Sequence, residues 1–162
     1  MVATAAAAVA ALSVAPSVPL VSEVSTTLTV GADAAYEVFA DAMEIPRWLP
    51  IVQSARVLTR ARDGRAARVA FTRKLERGSL GYTLEYSYEP ATLQVLWTTP
   101  ASSNVVLTGE ARFLPLSPKA CLMLYRLVLE LPVVDDVIAN ELDKHPASHV
   151  VAEFREHLRR LC

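Results

Sequence analysis

Three tyrosines in two strand-like runs are the side chains best placed to do chemistry. Tyr82 and Tyr86 alternate with Leu80, Leu84 and Tyr88, opposite Gly81, Thr83, Glu85 and Ser87. Tyr125 alternates with Cys121, Met123, Leu127 and Leu129, opposite Arg126 and Glu130. Period-two spacing puts all three on the uncharged face of a sheet, which should turn inward. A buried hydroxyl without a partner costs about 1–3 kcal/mol, so each needs a protein group, a water or a ligand. Facing a cavity, these hydroxyls would orient the polar end of a ligand, polarise a carbonyl or shuttle a proton. With their rings in the core and their hydroxyls at the rim, they would only pack. Arg73 shares parity with Val69 and Phe71, so its guanidinium either meets an anionic group inside or snorkels to water from the strand end.

Other inward positions complete the candidate set. Trp97 follows Leu93 and Val95, while Leu107 and Gly109 precede Ala111 and Phe113. Small residues such as Gly109 leave space for a ligand or for a packed helix. The candidate ligand-binding residues are therefore Tyr82, Tyr86, Tyr125, Trp97, Phe71, Arg73, Leu107, Gly109, Met123 and Phe154. Trp48, between Pro46 and Pro50, would gate such a cavity or plug the junction of helix and sheet.

Familiar catalytic patterns are missing. There is no GxSxG elbow and no phosphate-cradling loop, and the chain has only 5 Gly. His145 and His149 are four apart and flanked by Glu141 and Glu153, but Pro146 spoils the helical register a metal edge would need. No metal and no cofactor are expected, and His157 reads as solvated. Asp135 and Asp136 sit where a helix N-terminus is expected and are explained by capping. The 2 cysteines, Cys121 in an apolar run and Cys162 at the end, exclude a disulfide scaffold and a Cys-rich zinc module.

The 162 residues favour one domain, and a net charge of −1 excludes a global field for nucleic acid. Charge is nevertheless uneven, with a basic excess between residues 55 and 77. Arg56 and Arg60 share parity in one strand, and Arg68 and Lys74 in the next. All four should project from the outer face of one hairpin. They would contact an anionic membrane surface or a protein partner, or simply solvate the face and discourage edge-to-edge aggregation. No aromatic platform is interleaved there, so nucleic acid is not expected.

Residues 1–21 are Ala-rich and uncharged. Pro16 and Pro19 interrupt them, and they lack the basic residues of a signal or transit peptide. They read as a disordered leader, with a cytoplasmic location for the protein. If the leader targets, the location is exported or organellar instead. A single domain should fill residues 22–162. Its elements follow in a definite order. Val24 to Val30 alternates as a strand, and Asp33 opens an amphipathic helix through Met43. A short helix carries Trp48. Six strands follow, punctuated by Asp63-Gly64, Arg77-Gly78-Ser79, Glu89-Pro90 and Pro115–Pro118. Val134, Val137, Ile138 and Leu142, then Val150, Val151, Phe154, Leu158 and Leu161, recur at helical spacing, with a break at Pro146.

This order predicts an α+β helix-grip fold: a seven-stranded antiparallel sheet curled around a long C-terminal helix, with two short helices after the first strand. The run Thr26–Asp41, with Ile45-Pro46-Arg47-Trp48-Leu49-Pro50 after it, resembles the opening of the START-like (SRPBCC) superfamily, including polyketide cyclase/dehydrase-like and coenzyme Q-binding-like members. The resemblance covers residues 26–50 as motif and about residues 22–161 as element order. It implies a deep pocket for a hydrophobic small molecule such as a lipid, isoprenoid, quinone or polyketide. Without a nucleophile, non-catalytic binding is the first expectation. The alternative is an aromatase/cyclase-like enzyme shaping a poly-keto substrate in the same cavity. A third reading is an adaptor that binds a partner through the basic hairpin.

Overall fold

The computed structural model describes residues 19–103, 106–130 and 147–161. Its elements are β1 (Leu20–Leu28), α1 (Ala32–Ala40), a 3-10 turn (Ala42–Glu44), α2 (Ile45–Trp48), β2 (Val52–Arg60), β3 (Ala66–Lys74), β4 (Ser79–Glu89), β5 (Gln94–Thr98), β6 (Val106–Ser117), β7 (Ala120–Glu130) and α3 (Ala147–Leu161). The sheet has seven strands in the order β1-β7-β6-β5-β4-β3-β2, and every neighbouring pair is antiparallel. Strands β2 to β7 form a meander, and β1 closes onto β7. The architecture is the predicted α+β helix grip.

Several boundaries differ from the sequence reading. β1 starts at Leu20, one residue before the proposed end of the leader, and pairs there with Leu129. β6 runs on through Pro115 and Leu116 to Ser117, where a turn was expected. Pro115 still faces Cys121 in the β7 ladder, and a register shift follows before Ser117. The Phe113 N–H points to the Leu93 carbonyl on the β5 side. The nitrogen of Pro115, two residues on, points the same way past the end of β5, where no strand needs its donor. Leu93 was expected to open β5. It instead takes a left-handed φ of 51° after the 3-10 turn Pro90–Thr92.

Each helix is positioned by its apolar stripe. On α3, Ala147, Val151, Phe154 and Leu158 are buried, and Arg159 and Arg160 complement the dipole in its last turn. On α1, Ala35, Tyr36 and Phe39 turn inward. Gly31 starts that helix without a side-chain cap, because the space is taken: a Cβ there would lie 2.7 Å from the Pro118 carbonyl oxygen. Asp41 ends α1 and caps the following turn, its Oδ1 accepting from the Met43 N–H at 3.2 Å. Pro46 sits in the first turn of α2, where its missing N–H is harmless.

The core is centred on Phe39. Its ring lies 5.2–6.5 Å, centroid to centroid, from Phe154, Trp97, Phe113, Trp48 and Tyr125. Edge-on and tilted packing of this kind adds to burial, and it fixes α1, α2 and α3 against the sheet together. The expected helical positions Val134 to Leu142, the break at Pro146, the Asp135-Asp136 cap, and His145 with Glu141 lie outside the described residues. So do Cys162 and residues 1–18.

Candidate functional site

The inner face of the sheet does not close completely on the helices. A cavity of about 300 Å³ remains. Phe39 of α1, Trp48 of α2 and Leu49 just after it line one wall, and Ala147 and Val150 of α3 another. The sheet supplies Phe71 and Arg73 from β3, Leu80, Tyr82, Leu84 and Tyr86 from β4, Trp97 from β5, Leu107 from β6, and Tyr125, Leu127 and Leu129 from β7. Strand parity selects these residues: facing positions in the ladders pair Phe71 with Tyr82, Arg73 with Leu80, and Tyr86 with Trp97. The volume is at the lower end of the range for small-molecule sites.

Polar atoms on this wall are few. The Nε and Nη2 atoms of Arg73 are buried with no hydrogen-bond partner, as is Nε1 of Trp48. Tyr125 is buried, and Tyr82 and Tyr86 are half-buried facing the cavity. Burial raises the pKa of the Tyr82 hydroxyl, while the positive charge of Arg73 pulls it down. Tyr125 is raised more strongly by burial and by Tyr82, again against the pull of Arg73. Tyr86 lies well above the ordinary value because of burial and its tyrosine neighbours Tyr82, Tyr88 and Tyr125. All three are therefore neutral hydroxyls at any physiological pH, able to donate a hydrogen bond but not to act as phenolate bases. The rings are held by their neighbours: Phe71 stacks on Tyr82 at 5.5 Å, and Trp97 lies 5.6 Å from Tyr125 and 6.4 Å from Tyr86.

The structure brings seven of the sequence candidates to the cavity: Tyr82, Tyr86, Tyr125, Trp97, Phe71, Arg73 and Leu107. Met123 and Phe154 instead lie fully buried in solid packing, and Gly109 lies behind the indole of Trp97. Trp48 both lines the cavity and packs on Phe39 and Phe154, so plug and wall are one role. Phe39, Leu49 and Val150 were missed as wall residues. They lie on helices or helix ends, where periodicity shows which side is buried but not that a gap lies beyond it.

Arg56, Arg60, Arg68 and Lys74 are all exposed. Arg60 donates from Nη1 to the Gly64 carbonyl at 2.8 Å, and Arg68 faces Glu85 in the ladder, which tempers the patch. On α3, His149 Nε2 lies 3.8 Å from Glu153 Oε1. Among the described residues no group of three or more His, Cys, Asp or Glu is arranged to hold a metal.

A search of solved structures finds close matches in shape. A START superfamily protein from Mycobacterium smegmatis has a TM-score of 0.74 at 19% identity, over 88% of this chain and 99% of that one. This is a START-like helix-grip fold. The START-like fold is shared with an aromatase/cyclase from a Streptomyces species (TM-score 0.72, 15% identity, 90% of this chain and 97% of that one). It is shared too with norcoclaurine synthase from Thalictrum flavum in complex with dopamine and hydroxybenzaldehyde (TM-score 0.67, 10% identity, 92% and 91%). No family model and no curated protein matches the chain. No helix among the described residues is long and apolar enough to cross a membrane.

Proposed function

We propose that the chain binds one hydrophobic small molecule in the cavity and holds an oxygen of that molecule, carboxylate or carbonyl, at Arg73. The observation that carries this is the guanidinium with two buried, unpartnered nitrogens on a mainly apolar wall. Leaving such donors unsatisfied costs about 1–3 kcal/mol, and a ligand oxygen removes that cost. Tyr82 and Tyr125, close enough for the charge of Arg73 to act on both hydroxyls, supply further neutral donors. The apolar remainder of the wall favours a body of rings or chain. START-like neighbours that include an aromatase/cyclase and an enzyme crystallised with aromatic ligands support the same class of occupant.

A catalytic reading is favoured by the same polar group. A guanidinium in a dry site stabilises negative charge developing on a carbonyl oxygen, and a neutral tyrosine donates a further hydrogen bond to that oxygen. That is the chemistry a cyclase on a poly-keto chain would need.

Native mass spectrometry of gently purified protein tests the binding reading. One apolar species at unit stoichiometry is expected, or a rise in Tm when fatty acids, isoprenoid quinones or polycyclic aromatic carboxylates are added. An empty protein whose Tm none of these ligands moves overturns it. The cyclase reading requires turnover that falls in Tyr82→Phe or Tyr125→Phe, and unchanged turnover in both removes their roles.

A further inference from the structure

Gly109 stands directly across the ladder from Trp97, and its own backbone does not require glycine: among the described residues the left-handed φ values are at Leu93, Gly64 and Gly78. Space is the reason instead. A Cβ built at Gly109 would fall 2.2 Å from Trp97 Cε2, 2.3 Å from Nε1 and 2.4 Å from Cζ2, three bonded neighbours along one edge of the indole. The ring therefore occupies the volume that a side chain at 109 would fill. Its flanks are held by Phe39, Tyr86 and Tyr125, with centroids 5.7, 6.4 and 5.6 Å away.

We infer that Gly109 sets the size limit of the ligand. By having no side chain it lets Trp97 lie down against β6, and the cavity keeps its 300 Å³. A methyl group at 109 would push the ring from about 2.2 Å to ordinary carbon contact near 3.5 Å, a shift of roughly 1.3 Å. The sheet blocks one side and aromatic rings block the flanks, so the shift goes into the cavity. An engineered cavity of about 150 Å³ takes benzene. The present volume therefore suits a body of two or three fused rings, or a chain of equal bulk, and a raised Trp97 would cut that down. Gly109 touches no ligand in this account. It is a positioning residue acting through Trp97, and its role rests on the reading that the cavity holds a ligand.

Wild type, G109A, W97F and the double variant would be titrated with 2-naphthoate and 2-anthracenecarboxylate, bodies of two and three fused rings, following probe emission. Wild type should bind both. G109A should lose about tenfold or more in affinity for the anthracene probe relative to the naphthalene probe, the lower end of what overpacking costs. In the W97F background the added methyl should no longer discriminate, because the edge it strikes is gone. That comparison also carries the test if G109A does not fold. G109A with the wild-type ratio of affinities, or a double variant that still discriminates, overturns the role of Gly109 alone. Wild type binding neither probe overturns the cavity reading along with it.

Discussion

In the proposed role, Arg73 would serve binding at the expense of stability. Its parity places it with Val69 and Phe71, yet two of its nitrogens are buried without partners. A methionine of similar length would fill the same channel without unsatisfied donors. R73M should therefore stabilise the empty protein by about 1 kcal/mol, which for a chain of this size is a rise of about 2–4 °C in Tm. The same variant should lose the preference for carboxylates over their methyl esters in a thermal-shift titration. A fall in Tm would mean that Arg73 is paired in solution. From the sequence, Arg73 could point inward or, the favoured reading, snorkel to water from the strand end, because alternation gives a face but not the depth at which a long side chain ends.

Between elements, the clearest tie is Arg65, just after the Asp63-Gly64 turn. Its guanidinium carbon lies 5.3 Å from the ring centroids of both Tyr36 on α1 and Tyr88 on β4, and its Nη2 bonds Glu37 Oε1 at 2.8 Å. Tyr88 in turn donates its hydroxyl to the Ala66 carbonyl at 2.7 Å. One cation thus joins the first helix, the β2–β3 hairpin and β4. Glu37 is largely exposed, so the ion pair itself contributes little, while two cation–π contacts contribute about 0.5–1 kcal/mol each. R65A should cost about 1–2 kcal/mol in urea unfolding with an unchanged m-value, and E37Q less than about 0.5 kcal/mol. Equal losses would shift the credit to the ion pair. Nothing in the sequence announced this contact, since residues 36, 65 and 88 meet only once the hairpin folds back.

For the whole molecule, the buried tyrosines make alkaline pH the weak side. Tyr82, Tyr86 and Tyr125 are raised above the ordinary value of 10, and Tyr88 to about 12, chiefly by burial. A folded-state pKa above the unfolded one means that stability is intact below about pH 10. It then falls as pH rises from about 10 toward 12 and beyond, while the unfolded chain ionises first. Each buried tyrosine adds a slope of up to about 1.36 kcal/mol per pH unit in that window. Urea unfolding at about pH 9 and about pH 11 should show the loss, and Y86F should lessen it. Equal stability at both pH values would mean that the tyrosines are reached by water in the folded state.

Element order, strand faces and the helix grip were legible in the chain because alternation of apolar and polar residues, turn chemistry and chain length are local properties. Local rules failed where the need for a donor depended on a neighbouring strand, as at Pro115, which continues the ladder with β7 past the end of β5. By itself, the sequence determined which residues turn inward: Phe71, Tyr82, Tyr86, Trp97 and Tyr125 share faces by spacing alone. Only tertiary structure decided that those faces stop short of the helices and leave 300 Å³ open, that Met123 and Phe154 fall in solid packing, and that the indole of Trp97 takes the place beside Gly109. Inward direction is set by backbone geometry one strand at a time, whereas empty volume is a difference between surfaces brought together from distant parts of the chain.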